Sequence, residues 1–404
     1  MLENTHQEAK TILQVRSVCV LHLLSHKMVQ SFRIVREEET TLMVEKIRGS
    51  SVVNLSDMLV SLTNSVISRV TLGRNYWEGE ASNEIMYVNQ ENEKANEFSS
   101  SDFEQKSKKT KSSVSLKGGW KLKEMIGRLA ELLGVVDIGV YIPWLSWLNR
   151  INGLDGKAEK LAREFDEFIE AVVAEHVHGR RRECNKALRF NMTIWSLGSF
   201  LQDMFGAGTD TTFTLLEWTV AELLKHQETM KKLQKEVKEI GRGKRYIAED
   251  DLEKMHYLKA VIKECLRLHT PLPILLPRES LKDVRVMGYD IDAGTQVLVN
   301  VRAIARDPSS WEHPEEFRPE RFLNSSIDFK GKDFEFIPFG AGRRGCPGTL
   351  FAINVTELAL ANIVYKFDLS LPDGASSEDL DMSEGTGITI HRKNPLIVLA
   401  AERL

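Results

Sequence analysis

Apolar residues recur at helical spacing over most of the chain, and short strand-like patterns are confined to its last third. The longest helical pattern covers 193–240, and its first part is apolar on nearly all sides, which predicts a buried helix. Further helical patterns cover 15–50, 51–72, 122–133, 157–176, 250–268 and 350–367. Strand patterns cover 284–286 and 296–301 and recur near Ile388 and Leu396. The pattern predicts a mainly α fold with a small, irregular sheet.

Two segments depart from this pattern. The range 77–119 is rich in Ser, Glu, Asn and Lys and poor in large apolar residues, which predicts a disordered insert within one domain spanning 1–404. The aromatic loop 141–148, YIPWLSWL, suits either a core contact or a membrane interface, and the core contact is favoured. No uncharged apolar run is long enough to span a bilayer, and no signal peptide is predicted.

The charge balance and the cysteine content argue against some classes of protein. The 54 Lys and Arg residues against 58 Asp and Glu residues give a net charge of -4, which offers no electrostatic basis for nucleic-acid binding. Cys19, Cys184, Cys265 and Cys346 lie far apart, and the sequence contains no Cys-x-x-Cys pair. A disulfide framework or zinc site is therefore not expected, and a reducing compartment is favoured.

One cysteine has unusual neighbours, because Cys346 lies in the segment FGAGRRGCPG and is followed directly by Pro347. Glycines permit a tight loop that approaches a flat ligand closely. Proline favours the first helical position, so we expect the helix to begin at Pro347 with Cys346 at its cap. There the positive helix end would stabilise a thiolate. The thiolate could be a metal ligand or a nucleophile, although no histidine is near in sequence, and a structural cysteine in a glycine turn remains an alternative.

Two other groups of residues combine charge with an apolar helix. Glu264 and Arg267 are three residues apart, which places them on one helix face, either as a surface ion pair or as a partly buried one.

In the long helix, Gly208 precedes Asp210 and Thr211. A glycine inside a helix costs about 1 kcal/mol relative to alanine, so it predicts either a kink beside a flat ligand or close helix packing.

Four motifs together resemble the cytochrome P-450 superfamily, and in particular the plant A-type microsomal group. The segment 339–348 matches the pattern FxxGxRxCxG at every fixed position. The segments 264–267, 319–322 and 207–212 match the ExxR, PERF and AGxDTT patterns in the family's order. The resemblance covers the chain from about Val15 to its end and implies the cytochrome P-450 fold.

The resemblance implies that the cofactor is haem b, iron protoporphyrin IX, with Cys346 as the iron ligand. Arg344 and Arg278 would pair with haem propionates. Phe339 would cover the thiolate side, and Gly208 would let the long helix approach the haem. A thiolate ligand of this kind favours cleavage of the O–O bond.

The resemblance also assigns residues to catalysis and support. Asp210 would carry protons from solvent, and Thr211 would pass them to bound dioxygen. Glu264, Arg267 and Arg321 would form a buried network that braces the cysteine loop. By position alone, the candidate substrate contacts are Phe205, Ala207, Leu275 and Ile388.

The implied activity is a monooxygenase that inserts one atom of dioxygen into a small apolar molecule resembling a plant specialised metabolite. Electrons would come from NADPH through NADPH-cytochrome P-450 reductase. The family resemblance implies the cytosolic face of the endoplasmic reticulum membrane. Without an anchor, the chain as given would be cytosolic or make a peripheral membrane contact.

The chain departs from the family at three places. The family's anchor helix, hinge and first sheet strands are absent, so the sequence resembles an N-terminally truncated member, with Ile12 and Leu13 where the family has a Trp-Arg pair. The range 77–119 is longer than the family's loop, and the basic stretch GRRRECNKALRF within 178–195 replaces a helix and linker. A non-catalytic remnant therefore stays open as one alternative. A haem-thiolate dehydratase or isomerase that needs no external electrons is the other.

Overall fold

The structure is a computed structural model that describes residues 20, 23–73, 75, 143–145, 147–179 and 194–403, with short stretches between 125 and 135. The predicted insert 77–119, the positions Ile12 and Leu13, and residues 180–193 lie outside the described residues. Helices make up most of the described chain, so the predicted helix-rich fold with a small sheet component is confirmed.

The helices follow the predicted ranges, except that three patterns are divided and the start of 51–72 is a strand, Val52–Asn54. The range 250–268 is interrupted between Leu252 and His256 and forms two helices. The range 15–50 is interrupted at Phe32, and the range 193–240 is interrupted at His226, which has non-helical φ and ψ of -110° and 77°. The helices are α1 His26–Ser31, α2 Arg33–Arg48, α3 Leu55–Leu72, α4 Leu148–Ile151, α5 Leu154–Gly179, α6 Ile194–Lys225, α7 Gln227–Ile240, α8 Glu249–Leu252, α9 His256–Leu268, α10 Val301–Ile304 and α11 Thr349–Lys366.

The strands are short and antiparallel. A three-stranded sheet places Ile397–Glu402 between Val52–Asn54 and Phe367–Ser370. Two antiparallel pairs join Arg278–Glu279 with Gln296–Val297 and Val284–Val286 with Tyr289–Ile291. The strands are β1 Val52–Asn54, β2 Arg278–Glu279, β3 Val284–Val286, β4 Tyr289–Ile291, β5 Gln296–Val297, β6 Phe367–Ser370 and β7 Ile397–Glu402. The predicted strand at 284–286 and the one near Leu396 are confirmed.

The predicted strand 296–301 is wrong beyond Val297. The side chain of Asn300 accepts a hydrogen bond from the Ala303 amide at 2.9 Å, which caps the short helix α10. This local side-chain bond competes with strand pairing, so the strand ends after two residues. Ile388 likewise lies outside any strand, in a segment closed by a single bridge between Glu384 and Arg392.

Buried helices form the core. From Thr212 to Leu224 every residue of α6 is buried, as the apolar pattern predicted, and α9 and α11 are buried along most of their lengths.

The core contact predicted for the aromatic loop 141–148 is wrong for its two tryptophans. Trp144 and Trp147 are 78% and 53% exposed.

The chain divides into two compact units. One contains Met1–Thr63, Leu133–Val136 and Gly206–Leu404, and the other contains Asn64–Leu132 and Asp137–Phe205. The first unit holds all the strands that the structure describes, together with helices α1, α2 and α7 to α11. The expectation of a single domain stays a prediction. Within the described ranges, no helix is both long and apolar enough to cross a bilayer.

Candidate functional site

The loop that carries Cys346 is shaped by glycines and backbone hydrogen bonds. Gly340 and Gly342 have φ values of +69° and +70°, which residues with a side chain rarely adopt. The Gly345 amide donates to the Gly342 carbonyl at 3.0 Å, and the Cys346 amide donates to the Phe339 carbonyl at 2.8 Å. These bonds close the loop on itself and present the Cys346 side chain at an exposed position.

The helix after this loop begins later than predicted. Helix α11 starts at Thr349 with Gly348 as its N-cap, so the prediction that it starts at Pro347 is wrong. The Thr349 hydroxyl donates to the Cys346 carbonyl at 3.1 Å, and Pro347 and Gly348 form a turn before the helix. Cys346 nevertheless lies within one turn of the helix start, where the positive end of the helix favours a thiolate.

Arg278 and Arg344, the two arginines that the family resemblance assigns to the haem propionates, meet at this loop. The Arg278 Nη2 atom donates to the Arg344 carbonyl at 3.3 Å, and it lies 3.6 Å from where a Cβ atom would sit at Gly340. Arg278 is half-buried, whereas the Arg344 side chain is exposed. Arg278 therefore contacts the backbone of the loop that carries Cys346.

A fully satisfied ion network lies at the end of α9. Glu264 and Arg267 are both 0% exposed and share two hydrogen bonds of 2.9 Å. Arg321 joins them, because its Nε atom contacts the Glu264 Oε1 atom at 3.0 Å. Arg267 also donates to the carbonyls of Ala305, Pro314 and Glu316 at 2.8, 2.6 and 3.0 Å. These charged side chains can remain in the core because hydrogen bonds within the protein replace the bonds to water that burial removes.

Aromatic rings connect this network to the chain that enters the cysteine loop. The guanidinium groups of Arg267 and Arg321 lie 5.3 and 5.9 Å from the centre of the Trp311 ring. Trp311 in turn packs against Phe336 at 6.2 Å. Sequence reasoning did not identify Trp311, although a large aromatic residue within a proline-rich polar stretch was an available signal.

Helix α6 carries the predicted acid and alcohol. The helix continues without interruption through Gly208, and the Thr211 hydroxyl donates to the Ala207 carbonyl at 2.6 Å. Burial raises the pKa of Asp210, while a hydrogen bond from Thr389 and the nearby His391 act in the opposite direction. The acid therefore keeps its proton to a higher pH than an exposed aspartate would.

The four candidate substrate positions differ in their surroundings. Phe205 is buried on α6, Ala207 is exposed, and Ile388 is half-buried. Leu275 packs with Val301 and Ile337 in a buried cluster beside the cysteine loop. The residue after it, Leu276, is 59% exposed and was not identified from the sequence.

The sequence model of the family described as cytochrome P-450 matches residues 5–399. The chain belongs to the cytochrome P-450 family. A cytochrome P-450 of Prunus mume is 48% identical over 406 residues, covering 96% of this chain and 72% of the relative. A 3-beta-hydroxylase of Tanacetum parthenium is 45% identical over 411 residues, covering 96% and 74%. A (+)-menthofuran synthase of Mentha piperita is 46% identical over 406 residues, covering 96% and 74%.

Membership of the cytochrome P-450 family makes the protein an oxidoreductase of the monooxygenase class that binds haem. The residues of the loop fit this cofactor. The exposed Cys346 thiol is a soft ligand suited to iron, and Arg278 and Arg344 are suited to carboxylates. Glycines at 340 and 342 keep the loop free of side chains that would obstruct a flat ring.

Proposed function

We propose that the protein inserts one atom of dioxygen into a small apolar molecule of the plant specialised-metabolite type. Electrons would come from NADPH through NADPH-cytochrome P-450 reductase. The observation that carries the proposal is the exposed Cys346 thiol in a glycine loop, together with a buried and fully bonded ion network that Trp311 connects to Phe336. Relatives named as a hydroxylase and as a menthofuran synthase support oxidation of small organic molecules.

In this proposal the cysteine loop holds the haem. Cys346 is the iron ligand, and Arg344 and Arg278 bind the propionates. Phe339, whose ring meets that of Phe329 edge-on at 5.5 Å, shields the thiolate side. Gly208 provides a surface of α6 without a side chain. A bound haem with a thiolate ligand supplies the activation of dioxygen.

Protons would be delivered from α6. The Thr211 hydroxyl already donates to the Ala207 carbonyl, so its oxygen lone pairs remain available to accept a hydrogen bond. Asp210, with its pKa raised by burial, is suited to hold a proton and to release it toward Thr211. This acid and alcohol pair favours the monooxygenase over a dehydratase or isomerase, which needs no protons delivered to dioxygen.

Substrate would be contacted by Phe205, Ala207 and Ile388, with Leu275 shaping the site from within its packed cluster. The exposed Trp144 and Trp147 support a peripheral contact with the cytosolic face of the endoplasmic reticulum membrane.

Isotopically labelled dioxygen tests this function. The purified protein is incubated with haem, NADPH, a plant reductase and a panel of small apolar terpenoids. We expect one labelled oxygen atom per product molecule, and no product without NADPH or without reductase. Product that forms without NADPH, or that carries no label, would contradict the proposal.

A further inference from the structure

The segment 388–392 contains neither a helix nor a strand, so its backbone polar groups need partners from other parts of the chain. Two such partners are present at Ile390. The Ile390 amide donates to the Pro271 carbonyl at 2.9 Å, and the Trp218 Nε1 atom donates to the Ile390 carbonyl at 2.9 Å. The middle of the segment is therefore bound to α6 and to the chain that follows α9.

The indole of Trp218 is itself held in one orientation. Trp218 is 0% exposed, and its ring stacks on that of His269, with the centroids 4.1 Å apart and the planes inclined by 9°. The His269 Nε2 atom lies 2.6 Å from the Glu222 Oε1 atom, so α6 also holds the imidazole. A buried indole usually directs its N–H at a hydrogen-bond acceptor, and here the acceptor is the Ile390 carbonyl. A shift of the segment would leave both groups without their bond.

We propose that Trp218 is a positioning residue that sets the place of Ile388 in the substrate site through its bond to Ile390. The inference rests on the proposed function, because Ile388 is a substrate contact only there. Two residues of extended chain span about 7 Å at most, so a displacement of Ile390 also displaces Ile388. A misplacement of about 1 Å can lower a reaction rate about 100-fold. Trp218 thereby determines which carbon atom of an apolar substrate is oxidised.

The test removes the indole N–H and keeps the ring. Site-directed incorporation of benzothienylalanine in place of Trp218 substitutes sulfur for the N–H at nearly the same shape, so the stack on His269 is retained. Fluorotryptophan at the same position keeps the N–H and is the conservative variant. Benzothienylalanine in place of Trp311 is the matched control, because Trp311 is 4% exposed and the described residues offer its Nε1 atom no acceptor.

Amide hydrogen exchange of the segment 388–392 is measured first, in the purified protein without added substrate. We expect exchange to be about tenfold faster with benzothienylalanine at position 218, as the loss of one hydrogen bond commonly produces. Exchange should stay at the parent rate with fluorotryptophan at position 218 and with benzothienylalanine at position 311. Equal exchange in the parent and in the protein with benzothienylalanine at position 218 would overturn the proposal.

The distribution of products is the second readout. Each protein receives the terpenoid that the parent oxidises fastest, and the ratio between products oxidised at different carbon atoms is determined. We expect this ratio to change about tenfold with benzothienylalanine at position 218 and to stay unchanged in the other two variants. A lower rate with an unchanged ratio would show a merely structural role and would overturn the inference. If the parent oxidises no terpenoid of the panel, the proposed function fails, and hydrogen exchange still decides whether Trp218 holds the segment.

Discussion

Replacing Arg267 with alanine tests whether the buried ion network supports the fold. Arg267 and Glu264 are both 0% exposed, so the substitution leaves a charged carboxylate in the core with only part of its partners. Breaking such a buried pair typically costs about 3–5 kcal/mol. The backbone carbonyls of Ala305 and Pro314 also lose the bonds from Arg267, and that of Glu316 keeps only the longer bond from Arg321 at 3.4 Å. Because whole proteins are stable by only about 5–15 kcal/mol, we expect a severe loss of folded protein.

The assay compares thermal unfolding midpoints and the yield of soluble, haem-loaded protein. Arg302→Ala is the matched control, because Arg302 forms a two-point ion pair with Glu384 while both side chains remain partly exposed, at 43% and 33%. Exposed pairs contribute about 0–1 kcal/mol, so the control should behave almost like the parent. Equal midpoints for Arg267→Ala and Arg302→Ala would refute the reasoning.

Three further substitutions have distinct expected outcomes. Thr211→Ala should retain haem but release electrons from NADPH as hydrogen peroxide, and an unchanged ratio of product to NADPH would count against its role. Glu222 accepts hydrogen bonds from His226, and these raise the pKa of His226 above its ordinary value of 6.5. The stability that His226 contributes to the folded state is therefore fully present below pH 6.5 and is lost as pH rises through the raised pKa. The thermal unfolding midpoints of the parent and His226→Gln should therefore converge above that raised pKa. A difference in thermal midpoint between the parent and His226→Gln that does not change with pH would show that protonation of His226 does not contribute to stability. Replacing Trp144 and Trp147 with serine should reduce flotation with phospholipid vesicles, and unchanged flotation would remove these side chains from the membrane contact.

Motifs of consecutive residues were the part of the site that could be predicted from the sequence. The glycines around Cys346 and the spacing of Glu264 and Arg267 fix local geometry, and the structure places each in the predicted loop or helix. The start of α11 was missed by two residues, because Pro347 and Gly348 form a turn and the helix begins only at Thr349. A proline is compatible with a first helical position but does not require one.

Contacts between distant segments could not be predicted. Trp311 joins the ion network to Phe336, and the Trp218 indole donates to the Ile390 carbonyl, although each pair is formed by parts of the chain with no common pattern. The end of the strand at Val297 was missed for a related reason. There, the capping of α10 by Asn300 prevailed over the strand propensity of the following apolar residues.

The absorption spectrum of the reduced, carbon-monoxide-bound protein tests the central claim most directly. Cys346→Ala removes the proposed iron ligand, and Cys265→Ala is the matched control, because Cys265 is fully buried and burial raises the pKa of its thiol. We predict the Soret band of a thiolate-ligated haem in the parent and in Cys265→Ala, and its loss in Cys346→Ala. A thiolate-type band that persists in Cys346→Ala would contradict the assignment of Cys346.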